Sequence, residues 1–204
     1  MCQSVALSAD GGRLVAGTSN ALNSNRQDSG VVKIFELQSG EWVQLGSALY
    51  GLGTEAGFGF NVAISADGTI LASGSSGWGA EGIMQVFQYS NGDWVQLGEN
   101  IVGEATNDYF GIDVDMTPDG SRIAVGANRN NGNGSNSGHV RIFDFLNGSW
   151  VQVGSDIDGE GRNDLSGGQV AMSADGTRVA IGAQAADNIG HVRVFEETTV
   201  CCSI

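Results

Sequence analysis

The side chains able to do chemistry fall into a few groups. Asp113 and Asp115 stand two residues apart in a short run where related segments carry Phe60 or Gln169, and Ala63 or Ala171. Paired carboxylates can perform acid–base hydrolysis, and an acid on an inner strand must face water or take a raised pKa. A second set, Asp156, Asp158, Glu160 and Asp164, offers oxygen donors of the kind that hold calcium with help from backbone carbonyls. Glu104 and Asp108 align with Glu160 and Asp164. The reading favoured for these acids is plainer: they accept loop amides and keep the chain soluble. His139 and His191 occupy positions held elsewhere by Val31 and Ile83, which marks them as packing or strand-surface sites. No Ser or Cys shares a motif with a His and an acid, so no nucleophilic triad is read.

Polar contact residues form the remaining group. Arg26 and Asp28 lie in one loop, and Asn128, Arg129, Asn130, Asn131, Asn133 and Asn136 in another. Such loops suit hydrogen bonding to a protein or a carbohydrate, and serve equally as solvated links. Trp78 sits in a short loop with no counterpart elsewhere, which suits a contact residue.

These groups are positioned by a repeat. Ser8-Ala9-Asp10-Gly11 recurs at 65–68, as Thr117-Pro118-Asp119-Gly120, and at 173–176, at intervals of 57, 52 and 56 residues. Trp-Val-Gln-Leu/Val-Gly begins at Trp42, Trp94 and Trp150, and Gly-x-x-x-Ile/Val-Phe begins at Gly30, Gly82, Gly138 and Gly190. Three markers in one order and nearly one phase define about four units. Each unit reads as four strands. The first two are short apolar runs that suit burial, and the last two alternate apolar with polar. Asp-Gly and Asn-Gly turns join the first strand to the second and the third to the fourth, as tight hairpins. The links between units hold 12 residues each, whereas the central link within a unit varies between 7 and 12. The end carrying the variable links is the expected recognition face.

Composition bounds the alternatives. The 204 residues carry a net charge of −14, which disfavours nucleic acid and anionic membrane surfaces as partners. No apolar run reaches the length of a membrane span. Cys2, Cys201 and Cys202 are too few and too terminal for a disulfide framework or a zinc set, and read as free thiols. The start of the chain has no signal-peptide pattern.

Phe58-Gly59 and Phe110-Gly111 before the first strand of a unit, with Gly74-Ser75, Gly126-Ala127 and Gly182-Ala183 after the second, resemble the FG-GAP repeat of integrin α-like propellers. The hairpin and the Gly-x-Val-x-Ile/Val-Phe strand also resemble WD-repeat blades. This resemblance implies a β-propeller and an extracellular setting. The calcium loop that such repeats often carry between the first two strands is replaced by a turn with one carboxylate. The sequence therefore predicts an all-β propeller of about four antiparallel four-stranded blades, either a closed ring or an open arc. The blades span about 1–46, 58–98, 110–154 and 166–202, the last incomplete, in one repeat domain. The expected function is a non-catalytic module binding a protein or glycan, without a cofactor, and self-associating if the ring is open. The alternatives are a propeller hydrolase using Asp113 and Asp115, or a propeller fragment.

Overall fold

The computed structural model describes residues 2–22, 28–53, 57–77, 81–186 and 189–197. Trp78, Arg26 and the terminal Cys201 and Cys202 lie outside the described residues. The first sheet runs β1 (Ser4–Leu7), β2 (Arg13–Thr18), β3 (Val31–Gln38) and β4 (Glu41–Gln44), and β5 (Leu49–Tyr50) pairs back on β3. The second repeats this plan with β6 (Phe58–Ile64), β7 (Ile70–Ser75), β8 (Ile83–Ser90), β9 (Asp93–Gln96) and β10 (Ile101–Val102). The third holds β11 (Phe110–Met116), β12 (Arg122–Ala127), β13 (His139–Leu146) and β14 (Ser149–Asp158). The fourth holds β15 (Ser166–Met172), β16 (Arg178–Ala183) and β17 (His191–Glu196). All pairings between these strands are antiparallel, and no α-helix occurs among the described residues.

The sheets pack face to face, each on the next. Val15, Val32 and Ile34 of the first meet Phe58, Val62, Leu71, Phe87 and Trp94 of the second in one core. Met84 and Val86 of the second meet Phe110, Val114, Ile123 and Val125 of the third. Ala124 and Val140 of the third meet Val179 and Ile181 of the fourth. The first strands of successive sheets, β1, β6, β11 and β15, are neighbours along the whole series. Sheets fanned about their first strands form a propeller.

The fan is open. Val5 and Leu7, on the face of the first blade that would meet a preceding one, are 63% and 57% exposed. Val192 and Val194, on the opposite face of the last blade, are 68% and 65% exposed. The described blades form an arc with two bare apolar faces.

The recurring turn acid has a local purpose. Asp10, Asp67, Asp119 and Asp175 each accept the amide two residues ahead, at 2.8, 2.9, 3.0 and 3.0 Å. Successive turns are also joined: Ala9 donates to the Ala66 carbonyl and Ala66 to that of Pro118. Pro118 has no N–H to continue the series. A recess of about 580 Å³ opens at that junction, lined by Pro118, Arg122, Ala174 and Asp175.

Two sequence readings change. The 12-residue links are not plain loops, because β5 and β10 form in them and the corresponding stretch of the third blade extends β14 to Asp158. The first strand of a blade is also longer than its apolar run: β6, β11 and β15 span seven residues, with a break in register after Phe58, Phe110 and Ser166.

Candidate functional site

Asp113 and Asp115 lie on β11 and reach from blade to blade. Asp113 Oδ2 accepts the Val170 N–H at 2.6 Å, and its Oδ1 accepts the Asn61 side-chain amide. Asp115 Oδ2 accepts the Met172 N–H at 2.7 Å, and Oδ1 accepts that of Met116. The innermost strand of a blade has one edge without a neighbouring strand, so its amides need acceptors. Ser4 Oγ plays the same part for the Val62 N–H at 3.1 Å. Burial pushes the Asp113 carboxyl up to about 6, and the Asp115 charge adds to the rise against the hydrogen bonds from Val170 and Val114. A carboxylate of that pKa exchanges protons near neutral pH. Asp113 also lines a recess of about 370 Å³ with Gln169, Val170 and Ala180.

A second recess, of about 390 Å³, opens where the variable links gather, lined by Gln3, Ser19, Asn20, Asp28, Phe60 and Tyr109 among others. Asp28 Oδ1 is shielded there without a hydrogen-bond partner. The polar loop chosen from sequence is spent largely on its own shape. Asn131 Oδ1 accepts the Asn136 N–H, Asn133 Nδ2 donates to the Gly159 and Glu160 carbonyls, and Asn136 Nδ2 reaches Asn163. The Arg129 guanidinium stacks on Tyr109 at 4.8 Å, and Asn128 lies beside Gly168.

Sequence reasoning missed a third group, near the same loops. His139 begins β13 and Asp156 lies near the end of β14, the neighbouring strand, with Nδ1 and Oδ2 3.5 Å apart. Glu104, from the link between the second and third blades, brings its carboxylate to the same place. Asn130, which is buried, donates to Glu104 at 3.2 Å and to Asp108 at 2.9 Å. Burial raises Asp108 and lowers His139, the latter opposed by the charge of Asp156. Arg141, also buried, stacks on Phe110 at 4.3 Å and donates to the Val102 carbonyl. The acids proposed for calcium separate. Asp156 turns to His139, Glu160 lies against His191 and Arg193, and Asp164 accepts the Gly161 amide. The Asp158 backbone carbonyl accepts from Arg193. Among the described residues, the group of His and acids that converges is Glu104, His139 and Asp156. Pairing β13 with an extended β14 was the signal that could have found it.

Residues 103–143 match the FG-GAP repeat. That segment runs from the Glu104 link through Asp113 to the Phe143 end of the third-blade core, so the match takes in Glu104, Asp113, Asp115 and His139 and stops short of Asp156. No curated protein matches the chain. Solved structures do. A protein from Bacteroides uniformis provisionally assigned as a 6-phosphogluconolactonase aligns with 98% of this chain and 51% of its own, at TM-score 0.66 and 15% identity. One from Bacteroides fragilis with the same assignment aligns over 95% and 50%, at 0.62 and 16%. The periplasmic gluconolactonase of Pseudomonas aeruginosa aligns over 98% and 59%, at 0.56 and 12%. The chain spans about half the length of the first two structures. At these identities the likeness carries the propeller fold. The expectation of a module without catalysis is corrected to this extent: three of the propellers similar to this chain bear lactonase names.

Proposed function

We propose that this chain is the catalytic arc of a propeller hydrolase that opens a cyclic ester of a sugar acid, with Asp113 as general base. The observation that carries this reading is the Asp113 carboxyl. It is held between Asn61 and the Val170 amide at the inner edge of two blades, and burial lifts it to about 6. In this reading Asp113 takes a proton from water as that water attacks the ester carbonyl. It then returns the proton to the ring oxygen as the acyl C–O bond breaks. The products balance as one hydroxy acid from one lactone and one water. A chain of net charge −14, with Asp115 beside the base, favours a neutral lactone over a phosphorylated one.

The test is acid release from glucono-δ-lactone, followed by pH-stat and corrected for spontaneous opening. The wild-type rate is expected to rise through about pH 6, because the ionised carboxylate is the active form. Asp113→Asn, which keeps an acceptor for Val170, is expected to lower the rate by about 100-fold or more. A rate equal to that of the variant, or no enzymatic rate on neutral lactones, overturns the reading.

A further inference from the structure

We propose that Glu104, His139 and Asp156 bind a divalent transition-metal ion, with Zn²⁺ as the fitting probe. Their donor atoms, one nitrogen and two carboxylate oxygens, all lie within 4.8 Å of one another. Bonds of about 2.1 Å in a tetrahedral site place neighbouring donors about 3.4 Å apart. The His139 Nδ1 to Asp156 Oδ2 separation of 3.5 Å already has that value. Glu104 is exposed, so its side chain has room to close the remaining gap.

A second observation points the same way. His139 is 1% exposed, yet its Nδ1 has no hydrogen-bond partner and is aimed at the two carboxylates. A buried polar atom left in this state is costly, and an ion in front of it would remove the cost. Asp108 is 2% exposed, with one carboxylate oxygen likewise without a hydrogen bond. Charge supports a dication as well. Glu104, Asp108 and Asp156 set three carboxylates against the buried guanidinium of Arg141. Asn130 holds Glu104 and Asp108 together from behind, as an outer partner that orients ligands.

The donor set chooses the ion. Calcium takes six to eight oxygens, whereas an imidazole with two carboxylates suits zinc and its neighbours. Three protein donors leave a fourth position open on the solvent side, next to Glu104. The site is independent of the Asp113 reading and requires no turnover to detect.

The experiment is calorimetric titration of Zn²⁺ into the full chain with its three cysteines alkylated. One ion per chain is expected. Affinity should fall about 10-fold or more in both Glu104→Gln and His139→Asn, and stay unchanged in His191→Asn. Because His139 is buried, circular dichroism checks the fold of its variant, and if that variant unfolds the exposed Glu104→Gln decides. Binding that is unchanged in Glu104→Gln, or binding that is absent at about 1 mM Zn²⁺, overturns the proposal.

Discussion

Burial lifts the Asp113 carboxyl to about 6. On the same blade, the Thr117 hydroxyl and the Ser121 amide and hydroxyl hold Asp119 below its ordinary value. The two aspartates therefore act on stability in opposite senses. An unfolded aspartate titrates near 3.9. The Asp113 contribution is fully present below that value and is lost as pH rises through about 6. The Asp119 contribution is present above it and is lost as pH falls. The Asp113 span corresponds to on the order of 2–3 kcal/mol. Denaturant unfolding at several pH values is expected to show Asp113→Asn gaining on the wild type between about pH 4 and about pH 6, then running parallel to it. A constant difference across that range would refute the assignment. Asp119 and its three counterparts were legible in the sequence because each acts on the turn that contains it. The partners of Asp113 were not, since Asn61 and Val170 lie 52 and 57 residues away. His139 is buried on its strand, as its alignment with Val31 and Ile83 marks it, but the acids that meet it there come from another strand and another link and were not legible.

At the scale of elements, the hairpins followed from composition. Ser39-Gly40, Asn91-Gly92 and Asn147-Gly148 all take positive φ at both residues, the conformation that a two-residue turn between twisted strands requires. The short strands β5 and β10 escaped notice because two-residue pairings leave no periodicity to read. The in-phase tryptophans show how one element serves the neighbouring blade. Trp94 Nε1 donates to the Leu45 carbonyl at 3.0 Å, and Trp150 Nε1 to that of Leu97 at 2.9 Å. Trp42, in the first of the described blades, is 43% exposed. Trp94→Phe is expected to cost about 1–3 kcal/mol, from the lost hydrogen bond, the stranded carbonyl and the lost packing. Trp42→Phe should stay within about 0.5 kcal/mol of wild type. Thermal melts of the two variants check this, and equal losses would contradict the blade order.

Across the whole molecule, the repeat leaves a signature at the open end of the arc. An added Cβ on Gly126 would stand 1.9 Å from the Gly167 carbonyl oxygen of the following blade, and one on Gly74 would stand 2.0 Å from that of Gly111. Gly182 holds the same place in the last blade, where an added Cβ would meet nothing closer than 3.6 Å. Neither Gly126 nor Gly182 has a positive φ, so alanine is conformationally acceptable at both and the space alone separates them. The last blade thus keeps a glycine shaped for a neighbour and shows that face bare, with Val192 and Val194 exposed. The four-unit plan was readable from phased markers, but the opening was not, because chain-local patterns do not say whether the first and last faces meet. The most direct test compares Gly126→Ala with Gly182→Ala by thermal unfolding of dilute protein. The arc predicts that Gly126→Ala loses about 2–3 kcal/mol through forced separation of the third and fourth blades, while Gly182→Ala melts with the wild type or slightly above it. Equal destabilisation by both, or by neither, would contradict an open fan of blades packed backbone to backbone.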